Sequence, residues 1–241
     1  MNYSWDWGLL FRDPYAGWIV SGFITTCLLA VYAWVIAFIL GSIIGVLRTL
    51  DNKVLRLVGT IYVEVFRNIP LLAQIFLWYF VIPEFLPAEA QHYVKRGMPD
   101  PQFWTSVVGL GLYTAARVAE QVRSGIQSIP NGQQSAALAM GFTRVQTYRY
   151  VLLPIGYRTV IPSLTNDFLG VFKNSSLALT IGVMELTATA RQIDEYTFQS
   201  FEAYAAATVL YSCVTLCVIM LMRFLERRTR IIGTASAGGA R

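Results

Sequence analysis

The chain has 241 residues, of which 55% are hydrophobic and 14% charged, with 14 Phe, 13 Tyr and 6 Trp. Soluble domains carry about 25% charged residues, so these charges cannot cover a water-facing surface, and a mean hydropathy of +0.50 points to lipid as the solvent. The net charge of +5 must therefore be read by where each charge sits.

Residues 1–17 hold two Asp against one Arg, the wrong balance for the basic start of a signal peptide. The uncharged run 18–47 is read as the first membrane helix, about 45 Å long at 1.5 Å per residue. A second span is expected over 58–81, with Glu64 and Arg67 near one end and Pro83 and Pro87 beyond the other. The third, from 103, is uncharged only to 116, which is short of the usual ~20 residues. It must continue through Arg117 toward Glu120, giving 103–120. A fourth span, 159–184, contains Asp167 and Lys173, and a fifth runs over 204–222. Cys27, Cys213 and Cys217 all lie in spans and read as small apolar packing residues.

Five spans put the termini on opposite sides, and Lys and Arg decide which is which. Fourteen of them, Arg48, Arg117, Arg144 and Arg223 included, flank one side; Arg12, Lys95, Arg96 and Arg191 flank the other. The first side is read as cytoplasm, so the chain is N-out and C-in. The local balances are then +10 inside and −5 outside, with Asp167 and Lys173 cancelling within the membrane. The expected organisation is one permease domain over 1–228 and a small, Gly-rich flexible tail over 229–241.

The longest connection is cytoplasmic, 121–158. Pro130, Asn131 and Gly132 mark a turn; a short helix follows from Gln133 with Ala136, Ala137 and Met140 on one face; Gly141 suits its stop. Thr143 can cap a second short helix carrying Val145, Tyr148 and Leu152, which Pro154 closes. Three readings compete: helices that merely pack beneath the spans, a DNA-reading helix-turn-helix, and a docking surface for a cytosolic motor. A unit tethered so closely between two spans has little room to enter a groove, so no nucleic-acid partner is expected. One histidine, His92, and no HExxH, CxxC, GxSxG or phosphate-loop pattern leave no catalytic or ATP site on this chain.

The loop carries a resemblance. Ala136, Ala137, Gly141, then Val151, Leu153 and Pro154 match the E-A-A, three residues, G, nine residues, I-x-L-P signature of ABC importer permeases, with Ser135 in place of the usual Glu and Val151 in place of Ile. YVEVFRNIPLLAQ, holding Glu64, Arg67 and Pro70, and KNSSL with Glu185 and Leu186 resemble blocks of the polar amino acid uptake permeases. TAARVAEQVR, GIQSIPNGQ and YRYVLLP are similar to members that import glutamate and aspartate.

The resemblance implies an all-α integral membrane protein of the type I (MetI-like) ABC importer permease fold in the bacterial inner membrane. It implies one half of a pore, paired with a second, non-identical permease subunit. A cytosolic ATPase dimer would bind ATP and Mg and take residues 133–152 into a groove, and a periplasmic amino-acid-binding protein would deliver substrate. No cofactor is expected on this chain.

A charge at the bilayer midplane costs at least ~2.5–3.5 kcal/mol on insertion scales, so Asp167 and Lys173 need partners or a wet cavity. Six residues apart on a helix, they lie about 120° apart and cannot be an i, i+4 pair. Lys173, Asn174, Ser175 and Ser176 are expected to offer donors to a substrate carboxylate, with Asp167 toward its ammonium and Gln74 adding a contact; the same groups could instead gate. Glu64 and Arg67 read as an i, i+3 pair or inter-subunit contact, with gating the other possibility. The rival class is an ion-gradient carrier with Asp167 as its coupling carboxylate.

Overall fold

The computed structural model describes residues 3–229; the tail proposed over 229–241 lies almost wholly outside that range. Ten α-helices account for most of it. α1 (Tyr15–Leu47) is followed by α2 (Lys53–Asn68), α3 (Leu71–Phe76), α4 (Ala88–His92) and α5 (Pro101–Gln127). Then come α6 (Asn131–Ala139), α7 (Arg144–Thr147), α8 (Leu153–Asn174), α9 (Leu186–Thr197) and α10 (Ser200–Thr229).

The centre is α5, which packs along α1 and also meets α2, α3 and α8. Lipid supplies no hydrophobic drive between helices, so association depends on close backbone approach over small residues. The α1–α5 seam is built that way. Ala30, Ala33 and Ala37 on one helix and Ala115, Ala116 and Ala119 on the other are fully buried. A methyl at Gly41 would sit 2.6 Å from Val118 Cβ and 2.7 Å from the Ala115 carbonyl, and one at Gly45 2.7 Å from Val122 Cβ. The opposite face of α1 exposes Val31, Val35, Ile39 and Ile43, a surface suited to lipid or a partner helix.

Among the described residues, α1 and α10 are each long and apolar enough to cross a membrane alone, while α2 and the segment from Leu71 to Phe85 qualify only as a pair bent by 105°. The straight second span expected over 58–81 is thus corrected. Pro70 disfavours helical backbone at Ile69, which is extended at φ −92°, ψ 127°. Two carbonyls freed at the break are met by one side chain: Gln74 Nε2 donates to Phe66 O at 2.8 Å and to Ile69 O at 2.9 Å.

The fourth span also differs from its sequence reading. Pro154 does not close the second loop helix. α7 runs through a π-turn (Tyr148–Leu152) straight into α8, the Leu153 N–H donating to the Tyr148 carbonyl one residue further back than in an α-helix. The widened turn supplies the room that the proline ring needs against the preceding turn. At its far end α8 stops at Asn174 and tightens into a 3-10 stretch (Ser175–Ile181) that ends on Gly182.

Candidate functional site

Two regions carry the functional residues: the elbow formed by α6 and α7, and the polar layer where α5, α8 and the end of α2 meet.

The elbow is fixed by local chemistry. Gly141 sits at φ +86°, and its N–H donates to Leu138 O (3.0 Å) while that of Phe142 donates to Ala137 O (3.1 Å). This is the Schellman closure that favours glycine. Two residues on, Thr143 Oγ1 accepts from the Gln146 N–H and Gln146 Oε1 accepts from the Thr143 N–H, a reciprocal capping box. The turn, stop and cap expected from the loop sequence are therefore present. Within the elbow only Ala137 is buried, whereas Ser135, Ala136, Met140 and Val145 face outward. Near the π-turn, Leu152 is buried while Val151 and Leu153 are half-buried and Pro154 is exposed.

The elbow is tied to the end of α1 at two points. Arg144 Nη1 donates to Asp51 Oδ2 at 2.7 Å, and the Tyr148 hydroxyl donates to Thr49 O at 3.1 Å. Between elbow and body lies a cavity of about 450 Å³ bordered by Asp51, Asn131, Leu138, Arg144 and Tyr148.

In the polar layer the expected cancellation of Asp167 by Lys173 is corrected. Arg117 Nε donates to Asp167 Oδ1 at 2.8 Å, across 50 residues of sequence. The Asp167 side chain is 2% exposed and that of Arg117 51%. Lys173 is exposed and, among the described residues, makes no ion pair. α8 is unbroken between them, so the two charges occupy different faces, as the six-residue spacing requires.

Nearby, Glu120 accepts from Arg48 Nη1 at 2.5 Å and from Arg123. Arg67, Tyr113, Arg117, Glu120 and Gln121 wall a cavity of about 290 Å³. Glu64 does not pair with Arg67; its carboxylate accepts from Asn68 Nδ2 at 3.3 Å.

The remaining predicted path residues are less free than their types suggest. Gln74 is 2% exposed and committed to the α2–α3 break, which corrects its reading as a substrate contact. Ser175 Oγ donates to Phe172 O and Ser176 Oγ to Lys173 O, so their protons are spent on the helix end. Asn174, half-buried beside them, has no such commitment among the described residues. Pro70 stands at the break itself. Glu185, fully buried, caps α9 by accepting from the Thr187 and Ala188 N–H groups and from the Tyr211 hydroxyl at 2.6 Å. Arg117 is the residue that sequence reasoning missed, because a partner 50 residues away leaves no local periodicity to read.

The family model described as binding-protein-dependent transport system inner membrane component matches residues 37–231. The chain belongs to this family. It is 44% identical to the glutamate/aspartate import permease protein GltJ of Escherichia coli (strain K12), over 97% of this chain and 98% of that protein. It is 35% identical to the probable glutamine ABC transporter permease protein GlnM of Bacillus subtilis, over 87% and 92%. Among solved structures it is similar to an amino acid ABC transporter crystallised with histidines, at a TM-score of 0.78 and 31% identity, covering 94% of this chain and all of that one. The inward-facing MetNI methionine ABC transporter shares the fold alone, at a TM-score of 0.76 and 19% identity over 91% of this chain.

The chain is thus a bacterial inner-membrane ABC importer permease. ATP is used by a separate ATPase subunit, and the importer works with a substrate-binding protein. Family membership sets aside the ion-gradient carrier.

Proposed function

We propose that this chain is one of two permease subunits, paired with a non-identical partner, in an importer of glutamate and aspartate. It would have five membrane passages over 1–228, with the N-terminus outside and the C-terminus in the cytoplasm. The observation that carries the mechanical part is the continuous helix from Arg144 to Asn174, which joins the elbow to the segment bearing Asp167 and Lys173.

On this reading an ATPase dimer, charged with ATP and Mg, grips the exposed elbow face of Ser135, Ala136, Met140 and Val145. Small side chains at 135–137 permit close approach. Closure of the dimer displaces α7, and the rigid connection passes that displacement to α8. Lys173, exposed at the end of α8, and the adjacent Asn174 line the path, with Ser175 and Ser176 shaping the helix end. Glu64 is exposed on α2 one turn before the bend, and Pro70 stands at the bend itself. The substrate class is supported by the 44% identity to a glutamate/aspartate permease.

The test is reconstitution of the permease pair, ATPase and binding protein in vesicles. Glutamate uptake should require ATP and the ATPase; uptake that persists without either and follows an imposed ion gradient would refute the proposal.

A further inference from the structure

We infer that the cavity walled by Arg67, Tyr113, Arg117, Glu120 and Gln121 is a carboxylate-binding station, at which an acidic amino acid is held by the guanidinium groups of Arg67 and Arg117. The inference rests on the importer reading above and adds residues that discriminate an acidic substrate from its neutral amide.

Arg117 stands 16 residues into α5, about 24 Å from its outer end and well inside the bundle. A half-exposed guanidinium at that depth is too costly against hydrocarbon and must face a wet or protein-lined space. The cavity of about 290 Å³ has room for a single amino acid side chain and its waters.

Arg48, Arg67, Arg117 and Arg123 gather around this layer against Glu120, Asp167 and, one turn before Arg67 on α2, Glu64, four cations to three anions. Glu120 is shared between Arg48 and Arg123, and Asp167 is spent on Arg117. Arg67, with no ion pair among the described residues, is left uncompensated. An anion is what the layer lacks.

Asp167 occupies only the Nε of Arg117. Its guanidinium also meets the Tyr113 side chain, and its two terminal nitrogens carry the N–H groups of the planar fork that matches a carboxylate in bidentate fashion. Asp167 is therefore a positioning residue: from a buried site it holds one edge of the guanidinium so that the other edge faces the cavity. Tyr113 and Gln121 add neutral polar groups on the same wall.

The experiment uses the full permease–ATPase complex in lipid nanodiscs without binding protein, and measures retention of radiolabelled L-glutamate against L-glutamine. The intact complex should favour glutamate, and R67Q and R117Q should each weaken glutamate binding by roughly ten- to a hundredfold while weakening glutamine less. R117K should recover part of the loss, and D167N should weaken glutamate less than R117Q. Because R117Q strands a buried carboxylate and could fail to assemble, R67Q, which breaks no ion pair, is the decisive variant. Equal affinity of R67Q and the intact complex for glutamate would overturn the inference. Binding-protein-driven glutamate uptake by the intact complex, measured in parallel, separates the two levels: its absence would overturn the importer reading, whereas uptake unaffected by R67Q would overturn the station alone.

Discussion

Gly141 offers the sharpest test of the elbow, because a second glycine nine residues earlier serves as its control. A Cβ added at either Gly141 or Gly132 would meet nothing within 4 Å, so neither substitution to alanine creates a clash. They differ in backbone. Gly141 sits at φ +86° between two short helices, whereas Gly132 lies within α6 with no positive φ. Alanine in the left-handed region costs about 1–2 kcal/mol, while replacing a helical glycine by alanine gains at most about 1 kcal/mol. G141A should therefore destabilise the elbow by 1–2 kcal/mol, roughly a five- to thirtyfold change in its local equilibrium, and G132A should stabilise it slightly. Hydrogen exchange at the Phe142 amide, which donates to Ala137 O across the turn, reads the elbow directly. Uptake and binding-protein-stimulated ATP hydrolysis read the coupling. Faster exchange and weaker coupling in G141A alone are expected; identical behaviour of the two variants would refute the claim that the left-handed glycine sets the elbow.

Three further expectations follow from the geometry. K173M should abolish uptake while the complex still assembles and purifies normally, since Lys173 is exposed and holds no structural ion pair among the described residues; wild-type uptake by the variant would remove Lys173 from the path. G41A and G45A should each cost about 1–3 kcal/mol by overpacking the α1–α5 seam, read as a lowered unfolding temperature of the purified complex with no change in substrate preference. Q74L should leave the Phe66 and Ile69 carbonyls without their donor, at about 1–3 kcal/mol for each stranded group, lowering the yield of folded protein; a stable complex with selectively altered substrate affinity would return Gln74 to the path.

What was legible in the sequence was whatever is encoded locally. Thr143 and Gln146 form a capping box from residues three apart, Gly141 stops a helix next to its own turn, and the uncharged run from 18 to 47 becomes α1 with three more residues at its start. Proline was legible as a perturbation but not in its outcome. Pro70 produces a 105° bend because Gln74 can satisfy the freed carbonyls, whereas Pro154 is absorbed by a π-turn that keeps the helix running. Both outcomes depend on neighbours that supply, or make unnecessary, the lost hydrogen bonds.

The charges were least legible of all. Counted by side, Arg117 reads as a cytoplasmic retention charge near the end of the third span, and Asp167 and Lys173 as two intramembrane charges that sum to zero. Packing decides otherwise, because α5 extends to Gln127 rather than ending near Glu120, which leaves Arg117 inside the bundle within reach of α8. Once Arg117 neutralises Asp167, Arg67 beside it and Lys173 further along α8 are left without an ion pair among the described residues. The neutral pair suggested by arithmetic gives way to a layer with surplus positive charge, and that surplus makes an anionic substrate the physically consistent cargo. A neutral amino acid brings an α-carboxylate but no net negative charge to offset that surplus, so mutating Arg67 should weaken glutamate more than glutamine where mutating the elbow should slow both alike.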